Sequence, residues 1–355
     1  MGLVGEDGRF EALGGWPAVL GRLVAGADLT SEEAACALGE VLTGAATPAQ
    51  IAAFVTALRI KGESVQEMTG LVNAMLAHAE PLPVDGDVVD TCGTGGDRSR
   101  SINVSTIAAL VVAGAGARVC KHGGRAATSA AGSADVLEAL GVVIDLGPAG
   151  VARCIDEAGI GFCFAPRFHP AMRHAIAVRR ELGVATVFNF LGPLANPARA
   201  RHQVVGVSDP SMVDKMLGVL VANGARRAMV VHGADGLDEL STTGPSAVVE
   251  LTDDGDVRRY DVDATELGLA PASLDDLRGG EAAANADVVR KVLDGAAGPH
   301  RDIAVLNAAA GLVVAGIADD LADGVRRAAA VIDEGAAQKA LDALVRSSRA
   351  AAADG

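Results

Sequence analysis

The sequence lacks an excess of basic residues, long apolar runs and clustered cysteines. Its 355 residues carry 30 lysines and arginines against 45 acidic residues, which gives a formal net charge of −15. Because nucleic-acid phosphates are bound by basic surfaces, this balance argues against a nucleic-acid partner. The longest apolar stretch, residues 107–117, contains two glycines and is too short to span a bilayer, so we expect no membrane association.

Cysteine and aromatic residues are also few. Five dispersed cysteines without a C-x-x-C spacing predict buried, reduced thiols, not a disulfide framework or a zinc site. The first fifteen residues have no basic segment followed by an apolar run, so no signal peptide is expected. Although only 3% of the residues are aromatic, 50% are hydrophobic, which is enough for a large core. We therefore expect a cytoplasmic protein of two domains.

The pattern of residues 1–84 is typical of a small all-helical domain. Capping boxes begin at Thr30, Thr47 and Ser64, each with Glu or Gln three positions later. Apolar residues recur at helical spacing behind the second and third boxes. The segment P-L-P at 81–83 ends this block.

Residues 85–345 alternate between short apolar segments and helical segments. This alternation predicts a large α/β domain with a mostly parallel central sheet covered by helices. Strands are expected at 87–90, 117–120, 142–144, 161–164, 204–207 and 228–231, followed by a hairpin of 247–251 and 257–260. The Gly-Pro and Asn-Pro steps of residues 188–197 predict a rigid loop, and residues 346–355 predict a frayed tail.

The first glycine-rich turn, D-T-C-G-T-G-G-D at 90–97, follows a predicted strand and precedes a helix. Its glycines allow backbone N–H groups to approach an anion closely. The helix that starts near N-V-S-T at 103–106 adds further amides and hydroxyls. The turn matches neither a Walker loop nor the dinucleotide fingerprint. For G-T-G-G alone, an ordinary tight turn is the alternative.

The second turn, K-H-G-G-R at 121–125, directly follows another predicted strand. Three ionisable side chains in five positions of an acidic protein indicate a site and not surface decoration. Ligands bind at the carboxyl ends of strands in open α/β sheets, where both turns are expected to lie. Lys121 is a candidate phosphate contact, whereas His122 either donates to a substrate or is structural.

Two further segments carry candidate ligand groups. Asp238 and Glu239 follow the strand that ends at residue 231, where they either bind Mg²⁺ together with substrate phosphates or are solvated. Arg179 or Arg180, late in a predicted helix, is suited to a bidentate pair with a substrate carboxylate. A solvated helix end is the alternative for the two arginines.

Taken in order, these segments resemble the family of anthranilate phosphoribosyltransferases, over nearly the whole chain to about residue 345. The resemblance is carried by the ordered set of motifs, since no single motif is specific. The motifs are G-T-G-G-D at 93–97, N-x-S-T at 103–106, K-H-G at 121–123, G-S-A-D-V-L-E-A-L-G at 132–141, H-P-A-M-R-H at 169–174 with V-R-R at 178–180, F-N-x-L-G-P-L-x-N-P at 188–197, and G-L-D-E-L at 236–240.

The resemblance implies that a helical segment near 168–185 joins the helical domain, and that phosphoribosyl pyrophosphate lies in the cleft between the two domains. It also implies two Mg²⁺ ions per subunit, anthranilate as the acceptor, and a homodimer formed through the helical domain. The expected donor-binding residues are Gly93, Thr94, Gly96, Asp97, Ser101, Asn103, Ser105, Thr106, Lys121, Arg125, Ser129 and Ser133. The expected metal ligands are Ser105, Asp238 and Glu239; the acceptor-binding residues are Gly93, His122, Gly124 and Arg179; and the catalytic residues are Lys121, His122 and Arg179.

The sequence departs from the family pattern at two of these positions. Gly124 stands where the family usually has asparagine, and Ser101 where threonine is usual. Three alternatives stay open: a phosphoribosyltransferase with a different aromatic or heterocyclic amine as acceptor, a nucleoside phosphorylase of the same broad fold, and a non-catalytic binding protein. The pair Asp238 and Glu239 argues against the phosphorylase.

Overall fold

The computed structural model describes residues 8–97, 99–126 and 130–354, which fall into two compact units. The helical unit comprises Met1–Glu80 and Phe168–Ala195, and the α/β unit comprises Pro81–Arg167 and Asn196–Gly355. The second segment of the helical unit therefore extends ten residues beyond residue 185, the end expected from the sequence.

The helices are α1 (Arg9–Ala12), α2 (Gly15–Val24), α3 (Ser31–Thr43), α4 (Pro48–Lys61), α5 (Val65–Ala77), α6 (Val104–Gly114), α7 (Ser133–Ala139), α8 (Pro148–Ala158), α9 (Ala165–Phe168), α10 (Arg173–Leu182), α11 (Phe188–Leu194), α12 (Val213–Ala222), α13 (Ala282–Leu293), α14 (Pro299–Val314), α15 (Leu321–Asp333) and α16 (Ala336–Asp354). The strands are β1 (Val89–Gly93), β2 (Val119–Gly123), β3 (Ile160–Phe164), β4 (His202–Gly206), β5 (Arg227–Gly233), β6 (Ser246–Leu251) and β7 (Val257–Val262).

Three helices of the helical unit begin at the positions that the sequence predicts. The hydroxyls of Thr30, Thr47 and Ser64 accept backbone N–H bonds from the first turns of α3, α4 and α5, and a Glu or Gln side chain returns to each cap. All three capping boxes are therefore confirmed. Helix α10 packs against α3 and α4, which fixes the helix that carries Arg179.

The α/β unit contains a seven-stranded sheet in the order β3-β2-β1-β4-β5-β6-β7. Strands β1 to β5 run parallel, whereas β6 and β7 add an antiparallel hairpin at one edge, as predicted. The strand order reverses between β1 and β4. Open α/β sheets bind ligands in the crevice beyond the carboxyl ends of strands at such a reversal.

Helices α6 and α14 form the interior of the α/β unit. Both are apolar nearly all round, as expected for helices covered by other elements on every side. The apolar stretch at 107–117 is therefore largely the buried helix α6. Within the described part of the chain, no helix combines the length and the apolar character needed to cross a bilayer.

Two expectations, the strand at 142–144 and the frayed tail, are wrong, and one contact explains both. Residues 142–144 form no strand, and residues 346–354 are not frayed but continue α16 through Asp354. The Val143 N–H donates to the Ser348 hydroxyl oxygen at 3.1 Å, and Ser348 is fully buried. Packing of the last helix therefore replaces a neighbouring strand as the partner of residues 142–144.

The rigid loop predicted at 188–197 is also wrong over most of its length, because residues 188–194 form α11. The Asn189 side-chain oxygen accepts the Thr186 N–H at 3.0 Å and closes the first turn of this helix. Phe188, Phe190 and Leu191 are buried, so tertiary packing stabilises a helix in spite of Pro193.

Candidate active site

The turn after β1 has the geometry of an anion-binding nest. Gly95 and Gly96 adopt φ of 67° and 84°, a left-handed conformation that glycine adopts at little cost. The Thr94 N–H donates to the Gly206 carbonyl at 2.9 Å, which fastens the turn to β4. Among the described residues of the α/β unit, the amides of Gly96 and Asp97 have no hydrogen-bond acceptor. These two N–H groups are therefore available to an anion.

The loop after β5 places Asp238 and Glu239 against this turn. The Gly95 N–H donates to Asp238 Oδ2 at 2.7 Å, and the Ser105 N–H donates to Glu239 Oε1 at 3.2 Å. The two carboxylates thereby connect the glycine-rich turn with the first turn of α6. The structure brings together residues that are more than 130 positions apart in the chain.

Both carboxyl groups are electrostatically disfavoured as anions. Burial, followed by the charge of Asp97, raises the pKa of Asp238 to about 6. Burial, followed by the charge of Asp238, raises the pKa of Glu239 well above its ordinary value. The backbone N–H that each carboxylate accepts from Gly95 or Ser105 does not offset the loss of hydration. A cation at this position would relieve the repulsion.

Two glycines permit the close approach of this acidic loop. A Cβ at Gly93 would overlap Asp238 Oδ2, and a Cβ at Gly206 would overlap the Asp238 carbonyl oxygen. Asp235 fixes the loop from within, since its carboxylate accepts the Ser241 hydroxyl at 2.6 Å and the Leu237 N–H at 3.0 Å. Backbone and side chains thus hold the acidic pair at the carboxyl ends of β1 and β4.

Lys121 and His122, at the end of β2, are buried below the turn. The Lys121 ammonium donates to the Thr91 carbonyl at 2.7 Å and lies 3.3 Å from the Ser105 hydroxyl, with a residue exposure of 1%. The His122 N–H donates to Asp90 Oδ1 at 3.1 Å. Lys121 therefore acts on its surroundings mainly through its charge, which counters the raised pKa of Glu239.

Asp90 and Asn196 form a buried polar centre that is absent from the residues expected at the site. Asn196 donates to Asp90 Oδ2 and to the Cys120 carbonyl, both at 2.8 Å. Burial raises the pKa of Asp90, while Lys121 opposes that shift. The sequence could have indicated Asp90, because an aspartate within an otherwise apolar strand is unusual. For Asn196, the sequence shows only that it precedes a proline, which indicates a turn and not a buried polar role.

The remaining predicted donor residues surround the start of α6. Asn103 lies between the Ala131 carbonyl and the Asn285 amide, at 3.1 and 2.8 Å. The Thr106 and Ser133 hydroxyls are 3.2 Å apart, and Ser101 forms an isolated antiparallel bridge with Arg278. These residues therefore connect the turn after β1 with the segment that follows β2. No sequence signal identified Asn285.

Arg125 and Gly124 occupy the outer part of the second turn. Arg125 is exposed and pairs with Asp135 and Glu138, at 2.8 and 2.9 Å. A Cβ at Gly124 would meet nothing within 4 Å among the described residues, so the backbone does not require glycine there. Ser129, a predicted donor contact, lies outside the described residues.

Arg179 belongs to the helical unit, whereas the residues above belong to the α/β unit. Its side chain is half-buried and its guanidinium lies 5.4 Å from the centre of the Phe188 ring. Burial lowers the pKa of Arg179. The neighbouring Arg180 is exposed. The structure therefore favours Arg179 over Arg180 as the carboxylate-binding candidate.

The carboxylates of Asp238 and Glu239 suit a metal ion that takes its remaining ligands from the substrate. In the described residues, no group of three or more His, Cys, Asp and Glu side chains is placed to hold a metal ion. Mg²⁺ characteristically uses one or two carboxylates and takes its other ligands from water and phosphate. Asp238 and Glu239, with the Ser105 hydroxyl nearby, fit this mode of binding.

A helical bundle followed by an α/β unit with an anion-binding turn defines one class of transferase. Residues 17–79 match the glycosyl transferase family, helical bundle domain, and residues 85–338 match the glycosyl transferase family, a/b domain. The chain is therefore an enzyme of the glycosyltransferase class.

Individual relatives narrow this class. Anthranilate phosphoribosyltransferase from Roseiflexus castenholzii is 53% identical over 325 residues, which cover 91% of this chain and 96% of that protein. The crystal structure of anthranilate phosphoribosyltransferase from Thermus thermophilus matches with a TM-score of 0.89 and 43% identity, over 93% of this chain and 99% of that one. The Saccharomyces cerevisiae enzyme in complex with PRPP and Mg matches with a TM-score of 0.86 and 26% identity, over 94% and 98%. The chain belongs to the anthranilate phosphoribosyltransferase family.

Proposed function

We propose that the protein transfers the phosphoribosyl group of phosphoribosyl pyrophosphate (PRPP) to the amine of anthranilate. The products are N-(5-phosphoribosyl)anthranilate and pyrophosphate. The observation that carries the proposal is the joining of Asp238 and Glu239 to the glycine-rich turn and to α6, through Gly95 and Ser105. Relatives with this name, similar over almost the whole chain, support the assignment.

The donor is bound by the residues around the turn after β1. The amides of Gly96 and Asp97 contact its phosphates, and the hydroxyls of Ser105 and Thr106 lie at the adjoining helix start. Lys121 supplies a fixed positive charge beneath this region. These groups stabilise pyrophosphate more strongly as it departs, since its negative charge increases while the bond to ribose breaks.

Mg²⁺ is the metal that the site takes, and two ions per subunit are part of the proposal. Asp238 and Glu239 would hold one ion, and Ser105 would be a ligand of the other. When bound, the metal neutralises charge on the pyrophosphate. Support comes from the disfavoured carboxylate pair and from the related yeast structure with PRPP and Mg.

The acceptor is bound through its carboxylate by Arg179, with Gly93, His122 and Gly124 as further contacts. In the reaction, the bond from C1 of ribose to the pyrophosphate oxygen breaks, a bond from C1 to the amine nitrogen forms, and the amine releases a proton. An aromatic amine is already neutral at pH 7 and requires correct placement more than deprotonation. This requirement agrees with a site in which His122 is buried and hydrogen-bonded through its backbone.

A homodimer formed through the helical unit belongs to the same proposal. In the described part of this unit, four large apolar side chains are exposed, among them Val24 at 81% and Ile60 at 82%. Exposed large apolar side chains of this kind are candidates for burial against another chain. A cytoplasmic location is proposed with it, since no disulfide joins the five cysteines, all of which lie in the described residues.

Steady-state turnover tests the proposal. Mixing the protein with PRPP, Mg²⁺ and anthranilate is expected to consume the fluorescence of anthranilate, and chelation of the metal is expected to stop it. The double variant Asp238→Asn, Glu239→Gln should lose about 100-fold or more of this activity while remaining folded. A folded wild-type protein without turnover would refute the assignment of the acceptor.

A panel of aromatic and heterocyclic amines tests the acceptor further. The Gly124→Asn variant is the matched comparison, because a Cβ at Gly124 would meet no described atom within 4 Å. We expect the wild type to prefer anthranilate. Activity on anthranilate that appears only in the variant would instead assign a different amine to the natural protein.

A further inference from the structure

The two phenylalanines of α11 each lie beside an arginine from another helix of the same unit. Phe188 contacts Arg179 of α10, and Phe190 contacts Arg59 of α4, both with 5.4 Å between guanidinium carbon and ring centre. Both rings are buried, at 5% and 3% exposure. A guanidinium over an aromatic face is attracted by the ring quadrupole, more strongly when water is excluded.

The Phe188 ring is the main contact of the Arg179 side chain. Among the described residues of the helical unit, no carboxylate forms an ion pair with Arg179 and no acceptor binds its side chain. An arginine in this state keeps its N–H donors for an incoming carboxylate. An unrestrained arginine side chain, however, would lose considerable rotamer entropy on binding.

Helix α11 is itself firmly held. Asn189 closes its first turn by accepting the Thr186 N–H, and the Arg59 contact restrains the adjacent ring of Phe190. The Phe188 ring therefore presents a fixed face to Arg179. We propose that Phe188 is a positioning residue that orients the Arg179 guanidinium for the carboxylate of the acceptor. This role rests on the proposed function, in which Arg179 binds that carboxylate.

The carboxylate of anthranilate lies ortho to the reacting amine, but it neither forms nor breaks a bond and keeps its charge during the transfer. We therefore expect its contact with Arg179 to be equal in the ground and transition states. Loss of the ring should then raise KM and leave kcat nearly unchanged. We expect Phe188→Leu to raise the KM for anthranilate about 3- to 10-fold, in line with the strength of a desolvated cation–π contact. The KM for PRPP should not change.

Phe190→Leu is the matched control, because it removes a buried ring of the same size from the same helix and leaves Arg179 untouched. Its anthranilate KM should equal that of the wild type, while thermal unfolding should show a similar loss of stability in both variants. Phe188→Tyr, which keeps the ring, should restore the low KM. Methyl anthranilate, which lacks the carboxylate, should be used equally poorly by the wild type and by Phe188→Leu.

Several results would overturn the proposal. An unchanged KM in Phe188→Leu, an equal rise in Phe190→Leu, or an equal rise with methyl anthranilate would each assign Phe188 a purely structural role, with the proposed function intact. Failure of the wild type to use anthranilate would refute the proposed function itself, and the role of Phe188 with it.

Discussion

At the scale of single residues, the ionised carboxylates of Asp238 and Glu239 destabilise the folded protein when no metal is bound. The pKa of Asp238 is raised to about 6 and that of Glu239 is also raised, so the folded state keeps both carboxyl groups protonated to a higher pH than the unfolded chain does. The unfolded chain ionises them near pH 4. As the pH rises from about 4 through the folded pKa values, the wild type therefore loses stability.

Replacing both carboxylates by amides should recover that loss. With the metal chelated, we expect the double variant Asp238→Asn, Glu239→Gln to be about 2 kcal/mol more stable than the wild type at pH 8. The side-chain amide oxygens can still accept the N–H groups of Gly95 and Ser105. At pH 4.5 the difference should largely vanish, because the wild-type carboxyl groups are then mostly protonated. Urea unfolding at the two pH values measures both quantities.

Asp235→Asn is the control from the same loop. It weakens the bonds to Ser241 and Leu237 and should lower stability at both pH values. A double variant that is less stable than the wild type at pH 8, or equally altered at both pH values, would contradict this account. If the double variant is more stable at pH 8, the two carboxylates that bind the ligand lower the stability of the free protein.

At the scale of elements, the site depends on the close approach of the acidic loop to β4. Gly206→Ala would push the new methyl group into the Asp238 carbonyl oxygen. We expect destabilisation of about 3 kcal/mol and loss of most turnover, since the loop must move away from β4. Gly244→Ala, at an open position of the following segment, should alter neither stability nor turnover. Equal behaviour of the two variants would argue against the steric explanation.

Helix α16 provides a second prediction at this scale. A chain that ends after Val345 loses Ser348, which binds the Val143 N–H, and Arg349, which binds the Gly141 carbonyl. We expect its free energy of unfolding to fall by about 2 kcal/mol. A chain that ends after Ala350 keeps both contacts and should show the wild-type urea midpoint. An unchanged midpoint in the shorter chain would favour the original expectation that residues 346–355 are a frayed tail.

At the scale of the whole molecule, the features predictable from the sequence are those whose cause is local. The capping box at Thr30 and the hairpin of β6 and β7 follow from neighbouring residues, and both are observed. The strand expected at 142–144 failed because its burial depends on a helix about 200 residues away. Likewise, the contacts of Asn285 with Asn103 and of Phe188 with Arg179 arise from packing that no spacing records.

The net charge of −15 gives the last prediction. A polyanionic donor is repelled by the molecule at long range and is attracted at short range by the amides of the turn, Lys121 and the bound Mg²⁺. Screening acts on the long-range part, because the Debye length shortens from about 30 Å at 0.01 M salt to about 8 Å at 0.15 M. We therefore expect kcat/KM for PRPP to rise about twofold between these salt concentrations, at constant free Mg²⁺.

A variant with less surface charge separates this effect from changes within the site. Asp254, Asp261 and Glu334 are exposed and belong to none of the site elements. Replacing all three by lysine should raise kcat/KM for PRPP at low salt and flatten its dependence on salt, while kcat stays the same. If kcat/KM for PRPP fell with salt in the wild type, the attraction of PRPP by the turn would outweigh its repulsion by the acidic surface even at long range. In that case, the local cations would dominate the approach of the donor as well as its binding.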